Sequence, residues 1–193
     1  MHRDVITLVS GLPRSGTSLM MQMLAAGGMP ILTDGERKAD IENPRGYFEW
    51  EPAKLLPQQP ARIREAEGKA VKVISQLLFA LPGELQYRMI FMERPLSEVV
   101  ASQAEMIRRK QTAAPALPAT AMIAALQAHL NQVNAWLARR SDISVHRVKH
   151  GDAIQSPRTV AQGVRDFLNC PLDTEAMAAQ VDIALYHQRS TAS

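Results

Sequence analysis

The stretch LVSGLPRSGTSLMMQML, residues 8–24, decides how this sequence is read. Val5 to Val9 (VITLV) form a largely β-branched run, the pattern of a strand covered on both faces. A Met- and Leu-rich helix is predicted from about Thr17, ending at the helix-stop pair Gly27-Gly28. Between strand and helix, Gly11, Gly16, Thr17 and Ser18 spell G-x-x-x-x-G-T-S. That is the spacing of a phosphate-binding loop, G-x-x-x-x-G-K-[ST], with Thr17 where the lysine belongs and Arg14 inside the loop.

A strand-loop-helix of this kind turns several backbone N–H groups toward one point at a helix N-terminus. Unpaired donors and the helix dipole both favour an anion there. Ser15, Thr17 and Ser18 add hydroxyls, and Arg14 supplies a planar cation able to clamp two oxygens at once. Ordinary nucleotide hydrolases need the loop lysine and an acid for magnesium. Here the lysine is absent, and the apolar run Met89 to Met92 leads into Glu93-Arg94-Pro95 without an evident magnesium acid. The loop predicts a phosphorylated ligand handled without a required metal. The ligand-free alternative is a Gly-Pro turn that merely opens a helix. By itself the loop leaves kinases, sulfotransferases and nucleotide sensors open.

Working outward, Pro30 to Leu32, Ala70 to Ile74, Met89 to Met92 and Ile143 to Val148 read as further strands. Helical stretches are predicted near 76–81, from Pro95 to about Lys110, at 120–139, at 157–168 and from Thr174 to about Leu185. Residues 34–60 read as a long polar, Pro-containing loop with short helical pieces, and 112–118 (TAAPALP) as a linker. Strands alternating with helices predict an α/β fold. We expect a three-layer, P-loop-like architecture with a central, mostly parallel sheet of about 4–5 strands flanked by helices. The 193 residues form one domain in this reading, long enough to bury a core.

Composition narrows the class. Hydrophobic content of 46% with 21% charged residues is ordinary for a globular chain. The net charge of +3 is too small to announce a nucleic-acid binder but suits an anionic small ligand. Cys170 stands alone, which excludes an internal disulfide and a cysteine-based zinc site, so no metal site is expected. Neither a signal peptide nor a membrane-length apolar run is evident, and a cytoplasmic setting is the expectation. Nothing in the sequence sets an oligomeric state.

The second informative piece is FMERPLSEVVASQ, which places Arg94 at a strand end and Ser102 eight residues later, two helical turns down. It resembles the 3′-phosphate motif of sulfotransferases that use PAPS, 3′-phosphoadenosine 5′-phosphosulfate. In that family a strand-end Arg and a helical Ser jointly hold the ribose 3′-phosphate. GLPRSGTSLM resembles the 5′-phosphosulfate loop, in its Pro-Arg-Ser-Gly-Thr-Thr version from tyrosylprotein sulfotransferases. VKVISQLLFALP resembles the Lys-Thr-His-Leu-Pro segment of cytosolic members: Lys72 matches the lysine, but the histidine, falling near Ile74 or Ser75, is missing. VKHGDAI is similar to a Tyr-Glu-Asp-Leu strand end, with His150 at the tyrosine position, and FLNCPL resembles the Phe-Leu-Gly of the last helix. No C-terminal Arg-Lys-Gly segment is found.

The resemblance implies a sulfotransferase that moves a sulfuryl group from PAPS to a hydroxyl on a small molecule, glycan or peptide. Adenosine 3′,5′-bisphosphate would be its product. It implies a nucleotide site formed by Pro13, Arg14, Ser15, Gly16, Thr17, Ser18, Arg94, Ser102 and His150, with Arg14 and Lys72 acting on the transferring group. Without the histidine, a carboxylate must take the acceptor proton. Asp34, Glu36, Asp40, Glu42, Glu49 and Glu51 are available. Glu36 is the first choice, by likeness to the Gly-Glu-Glu segment of tyrosylprotein sulfotransferases, and Glu49 the second. Solvated loop acids are the plain alternative for each. The Met20, Met21 and Met23 cluster is expected in the core, His129 is read as a surface or packing residue, and Trp50 and Trp136 are expected in core or lid packing, with stacking on adenine or acceptor the alternative. The competing functions are a small-metabolite kinase with a degenerate phosphate loop and a non-catalytic nucleotide-binding protein.

Overall fold

The structure, a computed structural model, describes residues 4–34, 46, 48–109 and 118–182. Its sheet has five strands: β1 (Val5–Gly11), β2 (Ile31–Leu32), β3 (Ala70–Lys72), β4 (Gln86–Glu93) and β5 (Ile143–Lys149). The order is β2-β3-β1-β4-β5 and every pairing is parallel. The expected α/β sheet is therefore present, and it is parallel throughout.

The helices are α1 (Thr17–Ala26), α2 (Leu96–Arg109), α3 (Ala119–Leu137), α4 (His150–Gln155), α5 (Pro157–Leu168) and α6 (Thr174–Ala178). Three short 3₁₀ helices, Glu51–Leu55, Pro60–Ala66 and Ser75–Ala80, complete the described elements. No described helix is long and apolar enough to cross a membrane.

Alternation along the strands builds the layers. Ile6 and Leu8 of β1 join Val71, Tyr87, Met89 and Phe91 on one face, where Val133 and Leu137 of α3 and the side chains of Trp50, Leu56 and Ile63 cover them. Val9, Ile90, Met92 and Val148 line the opposite face under Met20, Met21, Met23 and Leu24 of α1 and Ala161, Val164 and Leu168 of α5. The methionine cluster is core, as expected: all three side chains are buried. Each such burial is worth about 1.5–3 kcal/mol relative to exposure.

One local reading differs. The strand ending at Val148 continues to Lys149 and turns directly into α4, a six-residue helix too short to leave a periodic signal. Beyond the loop expected over 34–60, Pro60–Ala66 forms a 3₁₀ helix, and Ile63 and Ala66 tuck into the core from it. Of the helix expected from Thr174 to Leu185, the described part ends at Ala178, and 183–185 lie outside the described residues. So does the linker at 112–117.

The sheet order fixes where a ligand can sit. Chain connections run from the central β1 to one side (β2, β3) and then to the other (β4, β5). In open parallel sheets ligands sit outside the C-terminal ends of the strands where the direction of winding reverses, here those of β1, β3 and β4. The Gly11–Gly16 loop follows β1 at that edge.

Candidate nucleotide site at the sheet edge

The loop conformation depends on its two glycines. Gly11 has φ +147°, and a Cβ there would lie 2.5 Å from Ser15 Oγ and 2.6 Å from the Met92 carbonyl oxygen. Gly16 has φ +98°, and a Cβ there would lie 2.4 Å from Cδ2 of His150. Arg14 is itself left-handed at φ 73°, an uncommon state for a residue with a side chain. Ser15 N–H closes the turn onto the Leu12 carbonyl at 3.1 Å.

Helix α1 then starts without help from side chains. Gly16, its N-cap, gives no side-chain hydrogen bond, and no acidic residue stands in the first turn. The positive end of the helix dipole is thus not offset by a nearby carboxylate of its own. Ser15 Oγ is buried and has no hydrogen-bond partner among the described residues. A buried hydroxyl in that state costs about 1–3 kcal/mol unless something satisfies it.

Helix α2 delivers the second half of the site. Arg14 Nε donates to Ser102 Oγ at 2.9 Å across a gap of 88 residues. Arg94, at the end of β4, donates from Nη1 to the Arg14 carbonyl at 3.1 Å and from Nε to Glu98 Oε2 at 2.9 Å. The Arg94 and Glu98 side chains are only 8% and 6% exposed, so the pair is a buried one. His150 closes the remaining side, at the first position of α4 against Gly16. Burial, and then the Arg94 charge, push its imidazole down to about 4, so it is neutral at pH 7.

A second group sits beside β1. Lys72 ends β3 opposite Val9 and is buried, with Nζ 3.6 Å from Glu49 Oε1. The Glu49 backbone is held: its carbonyl accepts from Thr33 Oγ1 at 2.8 Å and from the Asp34 N–H at 3.3 Å. Its neighbour Trp50 is 5% exposed in the core, with the Arg62 guanidinium over its ring at 5.8 Å. Asp34 and Glu51 are drawn together, the Asp34 carboxylate accepting the Glu51 N–H.

Of the residues singled out in the sequence, Arg14, Arg94, Ser102, Gly16 and His150 come together in one cluster. Lys72, on β3 next to β1, and Glu49, in the coil before the first 3₁₀ helix, form a second group. Glu36, Asp40 and Glu42 lie outside the described residues. Two participants were not foreseen. Glu98, four residues after Arg94 on a helix, carries in sequence only the signal of an exposed ion pair. Ser75, three residues after Lys72, is fully buried and shares a hydrogen bond of 2.9 Å with His129 Nε2. Fifty-four residues separate the two, and nothing local signals the contact. Trp136 packs edge-on against Phe79 at 5.6 Å, a packing role as expected. No described group of His, Cys, Asp and Glu could hold a metal ion.

No protein-family model and no curated protein matches the chain. Solved structures do. A sulfotransferase domain from the curacin biosynthetic pathway superposes with a TM-score of 0.53 at 15% identity, over 97% of this chain and 92% of that one. A sulfotransferase from Alicyclobacillus acidocaldarius gives 0.52 at 14% identity, over 87% of this chain and 83% of that one. A sugar kinase from Janibacter sp. HTCC2649 reaches only 0.39, at 14% identity over 91% and 97% of the two chains, too low to argue from. The chain has the sulfotransferase fold.

Proposed function

We propose that the whole chain is one PAPS-dependent sulfotransferase domain acting on a hydroxyl acceptor. The observation that carries this reading is the contact between its two expected phosphate sites. Arg14 of the loop and the Arg94–Ser102 pair of β4 and α2 meet directly, although the sequence separates them by 80 or more residues. The glycine cradle and the buried Ser15 hydroxyl suit an anion at the loop.

PAPS supplies an activated sulfuryl group on a phosphate leaving group. In this reading the backbone amides at Gly16 and Thr17, with the Ser15 and Ser18 hydroxyls, bind the 5′-phosphate, and Pro13 shapes the loop. Arg94 and Ser102 hold the 3′-phosphate, Ser102 exchanging its bond from Arg14 for one to the ligand. His150, neutral, walls the loop side. Arg14 and Lys72 neutralise the charge that builds on the bridging oxygen as the S–O bond to phosphate breaks and the S–O bond to the acceptor forms. The acceptor proton passes to a carboxylate. Glu49 is favoured by its place 3.6 Å from Lys72, with Glu36 the alternative from the sequence. The acceptor is a small-molecule, glycan or peptide hydroxyl.

Transfer from sulfur-labelled PAPS to a panel of hydroxyl acceptors, in EDTA, tests this directly. Labelled product and release of adenosine 3′,5′-bisphosphate are expected, and Arg14→Ala should lower turnover more than nucleotide binding. Phosphoryl transfer from ATP that needs magnesium would overturn it in favour of a kinase.

A further inference from the structure

Glu98 has no part in the chemistry above, yet it is one of the most deeply buried acids among the described residues, 5% exposed on the first turns of α2. A carboxylate taken out of water is costly unless a cation and hydrogen bonds meet it. Arg94 meets it, Nε to Oε2 at 2.9 Å. The guanidinium is a rigid planar fork, so fixing Nε fixes the direction of both Nη groups. In that orientation Nη1 reaches the carbonyl of Arg14, the residue held left-handed at φ 73°. One turn further along the same helix, Ser102 receives the Arg14 side chain at 2.9 Å.

We propose that Glu98 is a positioning residue for the phosphate loop: through Arg94 it pins the Arg14 carbonyl, and so holds the loop in its anion-ready shape before ligand arrives. Helix α2 then grips Arg14 twice, by its carbonyl through Glu98 and Arg94, and by its guanidinium through Ser102. The Glu98 carboxylate also offsets the Arg94 charge beside the neutral His150, on which both residues act electrostatically. That the shape so held serves a nucleotide rests on the function proposed above; the loop-holding itself does not.

Hydrogen exchange of loop peptides covering residues 11–18 tests the holding without any ligand. Glu98→Ala is expected to speed loop exchange about tenfold, with exchange in the interior of β1 and β5 unchanged. Arg94→Ala should do the same, and the double variant should be no faster than Arg94→Ala alone, because both act through one contact. Glu98→Gln, which keeps an acceptor in place, should restore most of the protection. Where Glu98→Ala does not fold, Glu98→Asp keeps the charge but withdraws it by one methylene, and should raise loop exchange about threefold. Loop exchange equal to wild type in the Ala or Asp variant, additive effects in the double variant, or a uniform rise across the molecule would each overturn the assignment. Titration with adenosine 3′,5′-bisphosphate is the separate arm. A wild-type protein that fails to bind defeats the nucleotide reading, while loop exchange still decides for or against Glu98.

Discussion

Two Arg–carboxylate pairs sit at opposite edges of the sheet, Arg140–Asp142 part-buried and Arg94–Glu98 buried, and their surroundings differ. At the N-terminal edge, Arg140 pairs with Asp142, donates to the Leu81 and Pro82 carbonyls at 3.0 and 2.9 Å, and lies 4.6 Å over the Trp136 ring. The Arg140 hydrogen bond pulls the Asp142 carboxyl below its usual range, and Tyr87, its hydroxyl on the Pro82 carbonyl, is pushed well up by burial. All of these contacts tie one chain turn to another. At the C-terminal edge, Arg94 and Glu98 instead meet a loop with two glycines at positive φ, a left-handed arginine and a buried serine hydroxyl that has no hydrogen-bond partner among the described residues. One pair closes a structure. The other meets a loop in left-handed backbone conformations, and local strain of that kind gathers at functional sites.

The largest expected effect is at the C-terminal edge, on turnover. Glu49→Gln preserves shape and hydrogen-bonding reach while removing the proton acceptor. Turnover is expected to fall about 10²- to 10⁴-fold with nucleotide binding intact. If Glu49→Gln stays active and Glu36→Gln is dead, the base is Glu36; two active variants would remove base catalysis from this segment altogether.

The paired arginines give the next contrast. Arg140→Ala should cost roughly 1–3 kcal/mol in urea unfolding, since it removes the partner of a part-buried carboxylate and of two backbone carbonyls, and leave nucleotide affinity unchanged. Arg94→Ala should weaken adenosine 3′,5′-bisphosphate by about 10- to 100-fold and adenosine 5′-phosphate far less. Equal losses for the two nucleotides would defeat the 3′-phosphate assignment.

Acid should also attack the edges in order. His150 has a folded value near 4 against an unfolded value near 6.5, so the unfolded chain binds the extra proton between them. Its contribution is fully present above about pH 6.5 and is lost as pH falls toward 4, on the order of 3 kcal/mol in all. The Asp142 contribution, from a depressed carboxyl, is lost only below the ordinary aspartate range. Unfolding midpoints of wild type and His150→Asn, measured from pH 7.5 to 4, should converge as pH falls; parallel curves would contradict the burial argument.

The smallest contrast uses two glycines of like backbone. Gly28 has φ +89° with nothing within 4 Å of an added Cβ, so Gly28→Ala should cost only about 1 kcal/mol. Gly16, at φ +98°, would drive a Cβ into His150. Gly16→Ala should cost a further 1–3 kcal/mol or so and abolish nucleotide binding. Similar stability and binding in the two variants would show that His150 yields easily and does not wall the loop.

The sequence made the loop legible because glycine spacing between a strand and a helix is a local signal, and Arg94 with Ser102 lies within one strand-helix unit. Partnerships across the fold were not legible. The Arg14–Ser102, Lys72–Glu49 and Ser75–His129 contacts depend on which strands lie side by side, and sequence spacing does not carry the order β3-β1-β4. Glu98 was hidden for another reason. An acid four residues after an arginine on a helix looks the same in sequence whether it faces water or the core, and only burial separates the two.

The central claim is that this edge binds a 3′-phosphorylated adenine nucleotide without metal. Isothermal titration of adenosine 3′,5′-bisphosphate in EDTA tests it most directly. One site per chain is expected, with adenosine 5′-phosphate bound at least about tenfold more weakly, the worth of a charge-assisted phosphate contact. Absence of binding in EDTA, together with magnesium-dependent binding of ATP, would contradict it.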